Sequence, residues 1–346
     1  MDDVGAGDDV VEPKVAVAEG ERREVAEPSP RKSIPERCRC KPRQRERRHV
    51  VLAALRHRHD DVEAIGEKHP CPELPGVRLV PPQEHNPGPV PVARHVRVTL
   101  VKACVVIPTL DACELVLRAL RSLEIQEPRP EVIVVDNASS DGTAAAIAEA
   151  FPWVHVRRLP HNLGFGRAIN AAALDPELEA DVLVLVNNDT VCEPGFVAAV
   201  CAPFADPAVG MVAGVLLQER DPERIDSAGI ELDRTLRSFD LLANTPVSAL
   251  AGAPDPVGPC GGAAAYRLGA FRDAGGFDDA FFAYWEDVDL ALRFRLAGWE
   301  CRLAPGARAH HLHGATLGAM SPAARRLEAF GRSFILNRYR VAGSGP

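Results

Sequence analysis

No phenylalanine, tryptophan or tyrosine occurs in the first hundred positions of this 346-residue chain. That segment is instead rich in Pro, Arg, Asp and Glu without sustained periodicity, so it offers too little apolar surface to offset the entropy of ordering. We read residues 1–100 as mostly disordered, with one short helix around 50–55, or as an upstream extension of a protein whose translation begins near Val98. A secretory signal is not expected either, because Asp2, Asp3, Asp8 and Asp9 stand where a basic start and an apolar stretch are needed. Long hydrophobic runs are missing as well. The longest apolar region, residues 196–217, is interrupted by Pro203, Asp206 and Pro207, which are costly at mid-membrane. The nine cysteines form no disulfide-like framework, which suits reduced thiols in a cytoplasmic setting. Cys38 and Cys40, followed by His49, His57, His59 and Cys71, match no usual zinc finger or ribbon spacing. A net charge of -8 lacks the basic excess of a general nucleic-acid binder. No phosphate-cradling GxxxxGK[ST] loop is present.

What the chain does contain begins at Lys102, where the character changes. Residues 103–107 read as a buried strand broken by Pro108 and Thr109, and 115–123 as an amphipathic helix. A second buried strand at 132–135 ends in Asp136, and a helix over 143–150 follows, with Asp141 or Ser140 as its N-cap. A third strand at 154–159 leads into Asn162, Gly164, Gly166 and Arg167 and then an alanine-rich helix. The run 182–186 is unbroken and apolar, as in a strand buried on both faces, and it delivers Asn187, Asn188 and Asp189 to the sheet edge. Short apolar strands alternating with helices predict right-handed crossovers and an α/β fold with a mainly parallel, Rossmann-like sheet covered on both faces.

The later half is less regular. A strand over 209–216, a hairpin or extended excursion over 225–242 and a Gly-rich approach to another strand at 254–265 are expected. Glu286 and Asp287 open a helix that ends near Gly298. A final strand at 301–304 precedes His310, His311 and His313, and a last helix over 322–340 carries Arg325, Arg326, Arg332, Arg338 and Arg340.

In open α/β sheets, ligands bind beyond the carboxyl ends of the strands. Thr109, the 136–141 cluster and the 162–170 cluster each follow an early strand, so folding gathers them with Asp189 along one edge. Asp136 suits a base or ribose, the flexible backbone at Gly164 suits close approach to a ligand, and Arg167 suits phosphate. A divalent cation bridging a diphosphate and Asp189, with a histidine as further ligand, would handle the phosphate charge. Individually these residues also read as turns, core contacts and a surface histidine loop.

The segments VVIPTL, VIVVDNASSDGT, NLGFGRAIN, VNNDT, GGFDDAFFAYWEDVDLALRFRLAGW and HHLHGAT, in this order over residues 103–340, resemble the family 2 glycosyltransferases, in particular their rhamnosyltransferase-like branch. The resemblance implies the A-type glycosyltransferase (GT-A) fold, with residues 101–190 as the nucleotide-binding half, 191–320 as the acceptor and catalytic half, and 321–340 as a C-terminal helix. It also implies an inverting transferase that moves a sugar from a nucleotide-diphosphate sugar to a saccharide or polyprenyl-linked acceptor in cell-surface polysaccharide synthesis. The donor implied is dTDP-rhamnose, with a UDP-sugar or GDP-mannose as alternatives. Pro108, Thr109, Asp136, Asn162, Gly164, Arg167 and Asn188 match the nucleotide-sugar side. Asp189 and His311 match ligands of Mg2+ or Mn2+, Asp287 the general base with Glu286 its rival, and Trp285 a residue stacking on acceptor sugar. Asn187-Asn188-Asp189 supplies one carboxylate where the family's fuller motif has two, so metal affinity is expected to depend on the donor diphosphate. The arginine-bearing helix implies peripheral contact with the inner face of the membrane, or is simply a solvated surface. A glycoside hydrolase drawing on Asp189, Glu286 and Asp287 would have no use for Asp136 and Asn162. A nucleotidyltransferase would need a Gly-rich basic loop after the first strand. A non-catalytic sugar-nucleotide module would need no base.

Overall fold

The apolar runs form the middle of a twisted sheet. The computed structural model describes residues 101–312 and 321–339, and these belong to one compact unit. The first half contains β1 (Ala103–Thr109), α1 (Cys113–Glu124), β2 (Glu131–Asp136), α2 (Thr143–Ala150), β3 (His155–Arg158), α3 (Phe165–Ala173) and β4 (Val182–Val186). After it come β5 (Thr190–Cys192), α4 (Phe196–Cys201), β6 (Val209–Gln218), β7 (Asp221–Ser227), β8 (Ile230–Leu232) and β9 (Ser238–Asp240). The chain continues through β10 (Ala263–Arg267), α5 (Leu268–Asp273), α6 (Glu286–Leu296), β11 (Glu300–His311) and α7 (Pro322–Tyr339).

The main sheet has nine strands in the order β3-β2-β1-β4-β10-β6-β11-β5, with β7 paired to β6 off this path. β1 to β4 pair in parallel, as the strand-helix alternation predicts. Beyond them the sheet is mixed: β10 runs antiparallel between β4 and β6, while β11 is parallel to β6. Helices cover both faces. Val105, Ile107, Val184 and Val186 point to one face, beneath Val116, Leu120 and Leu123 of α1, Ile147 of α2 and Phe196 of α4. Their neighbours Cys104, Val106, Leu183 and Leu185 point to the other, against Ile169 of α3, Phe271 of α5 and Leu290 and Phe294 of α6. Each fully buried aliphatic side chain contributes about 1.5–3 kcal/mol, and this two-sided burial is why the strands lack polar alternation.

Several boundaries differ from the sequence reading for physical reasons. β1 continues through Pro108 and Thr109, which pair with Val135 and Asp136 of β2. Pairing of β1 with β4 stops at Val106, so the proline sits where one edge of the strand is already open. The N-cap of α2 is Gly142 in a left-handed conformation, with Asp141 beside it accepting from the Thr143 backbone and hydroxyl. β11 reaches His311, so His310 and His311 belong to a strand instead of a loop, while His313 and Arg340 lie outside the described residues. The expectations for residues 1–100, including the 50–55 helix and the Cys38, Cys40, His49, His57, His59 and Cys71 group, lie outside them as well.

The excursion β7–β9 makes its own small core of Val215, Leu217, Ile225, Ala228, Leu241 and Leu250. A further cluster joins Ile230, Leu236, Phe281, Val288, Leu292 and Ile335, locking α7 onto α6. Charge reinforces that joint. Fully buried Asp289 accepts from Arg293 at 2.8 Å, Arg338 at 2.9 Å and Tyr339 at 3.2 Å. Arg325, Arg326 and Arg332 remain exposed on the outer face of α7. Among the described residues, no helix is long and apolar enough to cross a membrane.

Candidate active site

The parallel register sets the first wall of the site. Thr109 lies opposite Asp136 at the carboxyl ends of β1 and β2, and Asn188, just past β4, donates to the Thr109 hydroxyl at 3.2 Å. Asp136 is completely buried. One of its oxygens accepts from Ser139 N at 2.9 Å, and the other faces Arg158 Nε at 3.4 Å without a hydrogen bond. Arg158 also donates to Ser139 O at 2.8 Å, closing this end of the edge with a cation.

The next wall is a loop held by asparagines. Asn162 Oδ1 accepts from Gly164 N at 2.9 Å, and Asn137 grips the same loop through Gly164 O at 3.1 Å and Leu163 N at 2.8 Å. Gly164 has φ of 87°, and a Cβ there would collide with the Phe282 carbonyl, so both conformation and space require glycine. Phe165 N then donates to Phe282 O at 2.8 Å, while Asn170 pairs with both Phe277 N and Phe277 O. The fork of Arg167, which the sequence assigns to phosphate, is engaged elsewhere: its Nε and Nη2 donate to Asp279 O at 3.1 and 2.7 Å. These contacts stitch the loop of Asn162 and Gly164 to the segment that leads into α6.

That segment carries the carboxylate pair. Tyr284 and Trp285 both adopt left-handed backbone, with φ of 66° and 74°, immediately before Glu286. Two such consecutive residues store strain of order 1–3 kcal/mol each, a feature characteristic of functional sites. Asp287 is fixed by Val288 N at 2.8 Å and by Gly261 N at 3.2 Å. Burial drives both carboxyl pKa values upward, Glu286 more strongly, while backbone donors restrain the rise at Asp287. Asp287 is therefore the readier of the two to ionise and Glu286 the readier to hold the proton. Trp285 sits against α7, where a Cβ on Gly331 would collide with its side chain.

Gly261 and Gly262 connect this pair to the end of β4. While Gly261 N holds Asp287, Gly262 O accepts from Asn187 N at 3.4 Å, and a Cβ on Gly262 would stand 3.1 Å from the Asn187 amide. The antiparallel register Ala263↔Val186 produces that meeting. Asp189 follows in the same turn and is buried. The register His311↔Thr190 between β11 and β5 then brings His311 alongside, its Nε2 3.4 Å from Asp189 Oδ1, long for a hydrogen bond. On its other side, His311 Nδ1 lies 2.6 Å from Asp226 Oδ2. Burial depresses the His311 pKa, but the two flanking carboxylates outweigh it and raise it to about 9.

Among the described residues, no three His, Cys, Asp or Glu side chains are grouped to hold a metal ion. A buried carboxylate oxygen facing an imidazole nitrogen nevertheless fits a divalent cation that takes its remaining ligands from substrate phosphates and water. Arg158, Asp226 and the Gly261–Gly262 pair were not singled out from the sequence as site residues, while Asn137 falls within the expected 136–141 cluster. Only the two adjacent glycines carry a local signal, that of close backbone approach.

The family model described as glycosyl transferase family 2 matches residues 104–275. The chain is 30% identical over 226 residues to the N-acetylglucosaminyl-diphospho-decaprenol L-rhamnosyltransferase of Mycobacterium tuberculosis, covering 56% of this chain and 70% of that protein. The mannosyltransferase PcManGT from Pyrobaculum calidifontis, solved with GDP-Man and Mn2+, aligns with a TM-score of 0.51 at 21% identity over 71% of this chain and 66% of its own. GalNAc-T7, solved with UDP, GalNAc and Mn2+, gives 0.55 at 15% identity, with 70% and 49% covered. The chain thus spans less than two thirds of either solved chain, and both likenesses concern the fold alone.

Proposed function

The chain belongs to the family 2 glycosyltransferases, and from that premise we propose that it transfers a sugar, with inversion, from a nucleoside-diphosphate donor to a lipid-linked saccharide acceptor. The observation that carries this reading is the meeting at Gly261–Gly262, where one glycine holds Asp287 and the next holds the turn of Asn187, Asn188 and Asp189. Such a meeting supports a reading in which the base stands beside the departing diphosphate. We assign Thr109, Asp136 and Asn188 to the nucleoside end, with Pro108 shaping the strand beneath them and Asn162 and Gly164 the loop above. Arg167 acts on this reading as the clamp between that loop and the segment entering α6.

Asp287 takes the proton from the acceptor hydroxyl as that oxygen attacks the anomeric carbon. The bond from that carbon to the diphosphate oxygen breaks on the opposite face, so configuration inverts and the electron pair leaves with the nucleoside diphosphate. Glu286, kept protonated by its burial, lowers the negative charge around Asp287 before the acceptor arrives. Trp285 borders the acceptor side, its orientation set by Gly331. Asp189 and His311 are the residues that would hold Mg2+ or Mn2+, whose chemistry is to stabilise charge growing on the departing diphosphate.

The relative's decaprenol-linked acceptor and rhamnosyl product support dTDP-rhamnose as the donor and a polyprenyl-diphosphate saccharide as the acceptor in surface-polysaccharide synthesis. A cytoplasmic enzyme touching the inner membrane face through Arg325, Arg326 and Arg332 is consistent with that acceptor. Calorimetry with dTDP-rhamnose, UDP-sugars and GDP-mannose, with and without Mn2+ or Mg2+, tests the assignment. Metal-dependent binding of one donor names its class; failure of the folded protein to bind any of them overturns the reading. Loss of turnover in Asp287→Asn with donor affinity retained is expected, and full turnover would remove Asp287 from the role of base.

A further inference from the structure

We infer that Asp226 is the positioning residue of the metal site, holding the His311 ring so that Nε2 is presented to the Asp189 side. This rests on the assignment of Asp189 and His311 proposed above. The placement of Asp226 is not incidental to strand pairing. β7 pairs with β6 through Leu216↔Ser227 and then Leu217↔Ile225, so Asp226 is the extra residue of a β-bulge. A bulge of this kind re-aims the side chain it carries. Here the flanking residues Ile225 and Ser227 are buried, while Asp226 on β7 meets His311 on β11, the two strands both pairing with β6.

The contact is short and sheltered. Asp226 Oδ2 and His311 Nδ1 are 2.6 Å apart, and the two side chains are only 17% and 10% exposed. A ring flip exchanges an imidazole's nitrogen and carbon positions, and either nitrogen can carry the proton; a carboxylate on Nδ1 fixes both. With Nδ1–H donating to Asp226, the nitrogen left to face Asp189 is Nε2, and the observed 3.4 Å separation shows that it does. A carboxylate behind a ligating histidine also raises the basicity of the ligand nitrogen, and losing such a partner typically weakens metal binding about 10- to 100-fold.

The test is a titration of Mn2+ into the full chain, followed by the EPR signal of free Mn2+, in the presence of dTDP, UDP or GDP, whichever binds most tightly. Asp226→Ala is expected to weaken Mn2+ at least about tenfold. Asp226→Asn, which keeps an acceptor of the same shape for Nδ1–H but no charge, is expected to fall between it and the parent. Nucleotide affinity measured with EDTA should stay the same in all three proteins, which a general structural role would not leave unmoved. Mn2+ affinities within twofold of the parent in both variants overturn the inference while leaving the metal site in place. Equal loss of EDTA-insensitive nucleotide binding and Mn2+ binding in Asp226→Asn overturns it in favour of a structural role. Absence of nucleotide-dependent Mn2+ binding in the parent itself overturns the metal assignment, and this inference with it.

Discussion

Replacing Glu286 by glutamine should make the protein more stable near neutral pH relative to its effect in acid. Glu286 is buried at the start of α6, one of its oxygens has no hydrogen-bond partner, and burial together with Asp287 raises its pKa past neutrality. In the unfolded chain a glutamate ionises near 4.3, so at pH 7 folding must take up a proton that the unfolded chain has released. The folded state binds more protons, and stability therefore falls as pH rises from the unfolded value through the raised native one. Each pH unit across that interval is worth about 1.4 kcal/mol, so wild type carries a penalty of about 4 kcal/mol at pH 7 that Glu286→Gln lacks. The amide brings two donors into a tight place, at a cost that does not vary with pH, so the quantity to read is the change of the difference with pH. Urea unfolding followed by far-UV circular dichroism between pH 4.5 and 8 measures it. A stability difference constant to within about 0.5 kcal/mol over that range would refute the reasoning, because no buried ionisation would then separate the two proteins.

Gly164→Ala combines left-handed strain with a collision against the Phe282 carbonyl, and should cost about 2–3 kcal/mol in urea unfolding. Gly195→Ala, with φ of 82° and open space around its Cβ, should cost only about 1 kcal/mol, and equal losses would show that the contact with Phe282 is unimportant. Arg338→Met removes one of three partners from buried Asp289; because Arg338 itself is 36% exposed, the expected loss is about 1–2 kcal/mol, seen as a lower Tm. Arg158→Ala should weaken nucleoside diphosphate binding about tenfold without changing its response to Mn2+, as fits one charge-assisted contact beside Asp136, and an unchanged affinity in calorimetry would place Arg158 outside the nucleotide site.

The parts of the fold that a sequence displays are those whose cause is local. β1, β2 and β4 are legible because burial on both faces makes each an unbroken apolar run, and α2 because alanines and a polar turn bracket it. Glu286 and Asp287 at a helix start follow from the spacing of Leu290, Ala291 and Phe294 behind them. β5, with three residues, and α4 and α5, with six each, are too short to show a period. β11 hides for another reason. Pro305 and Gly306 read as the end of a strand, whereas the sheet absorbs them as an irregularity between Leu303 and Arg308 and continues to His311.

The same distinction separates the two kinds of site residue. Thr109, Asp136 and Asp189 stand directly after buried strands, so topology alone carries them to one edge. Arg167 shows a cation but not its partner, since Asp279 lies 112 positions away and is met only through the packing of α3 against the segment before α6. Asp226 is harder still, because what aims it at His311 is a one-residue slip between β7 and β6, and a slip in register leaves no mark on composition or period. The glycines are intermediate. Gly164, Gly261 and Gly262 announce close approach without saying to what, and the structure supplies Phe282, Asp287 and Asn187 as the answers. Of the three, Gly164 alone combines a left-handed backbone with a collision against another backbone, so substitution there should disturb this edge more than at Gly261 or Gly262, where a Cβ would press on side chains at 3.1–3.2 Å.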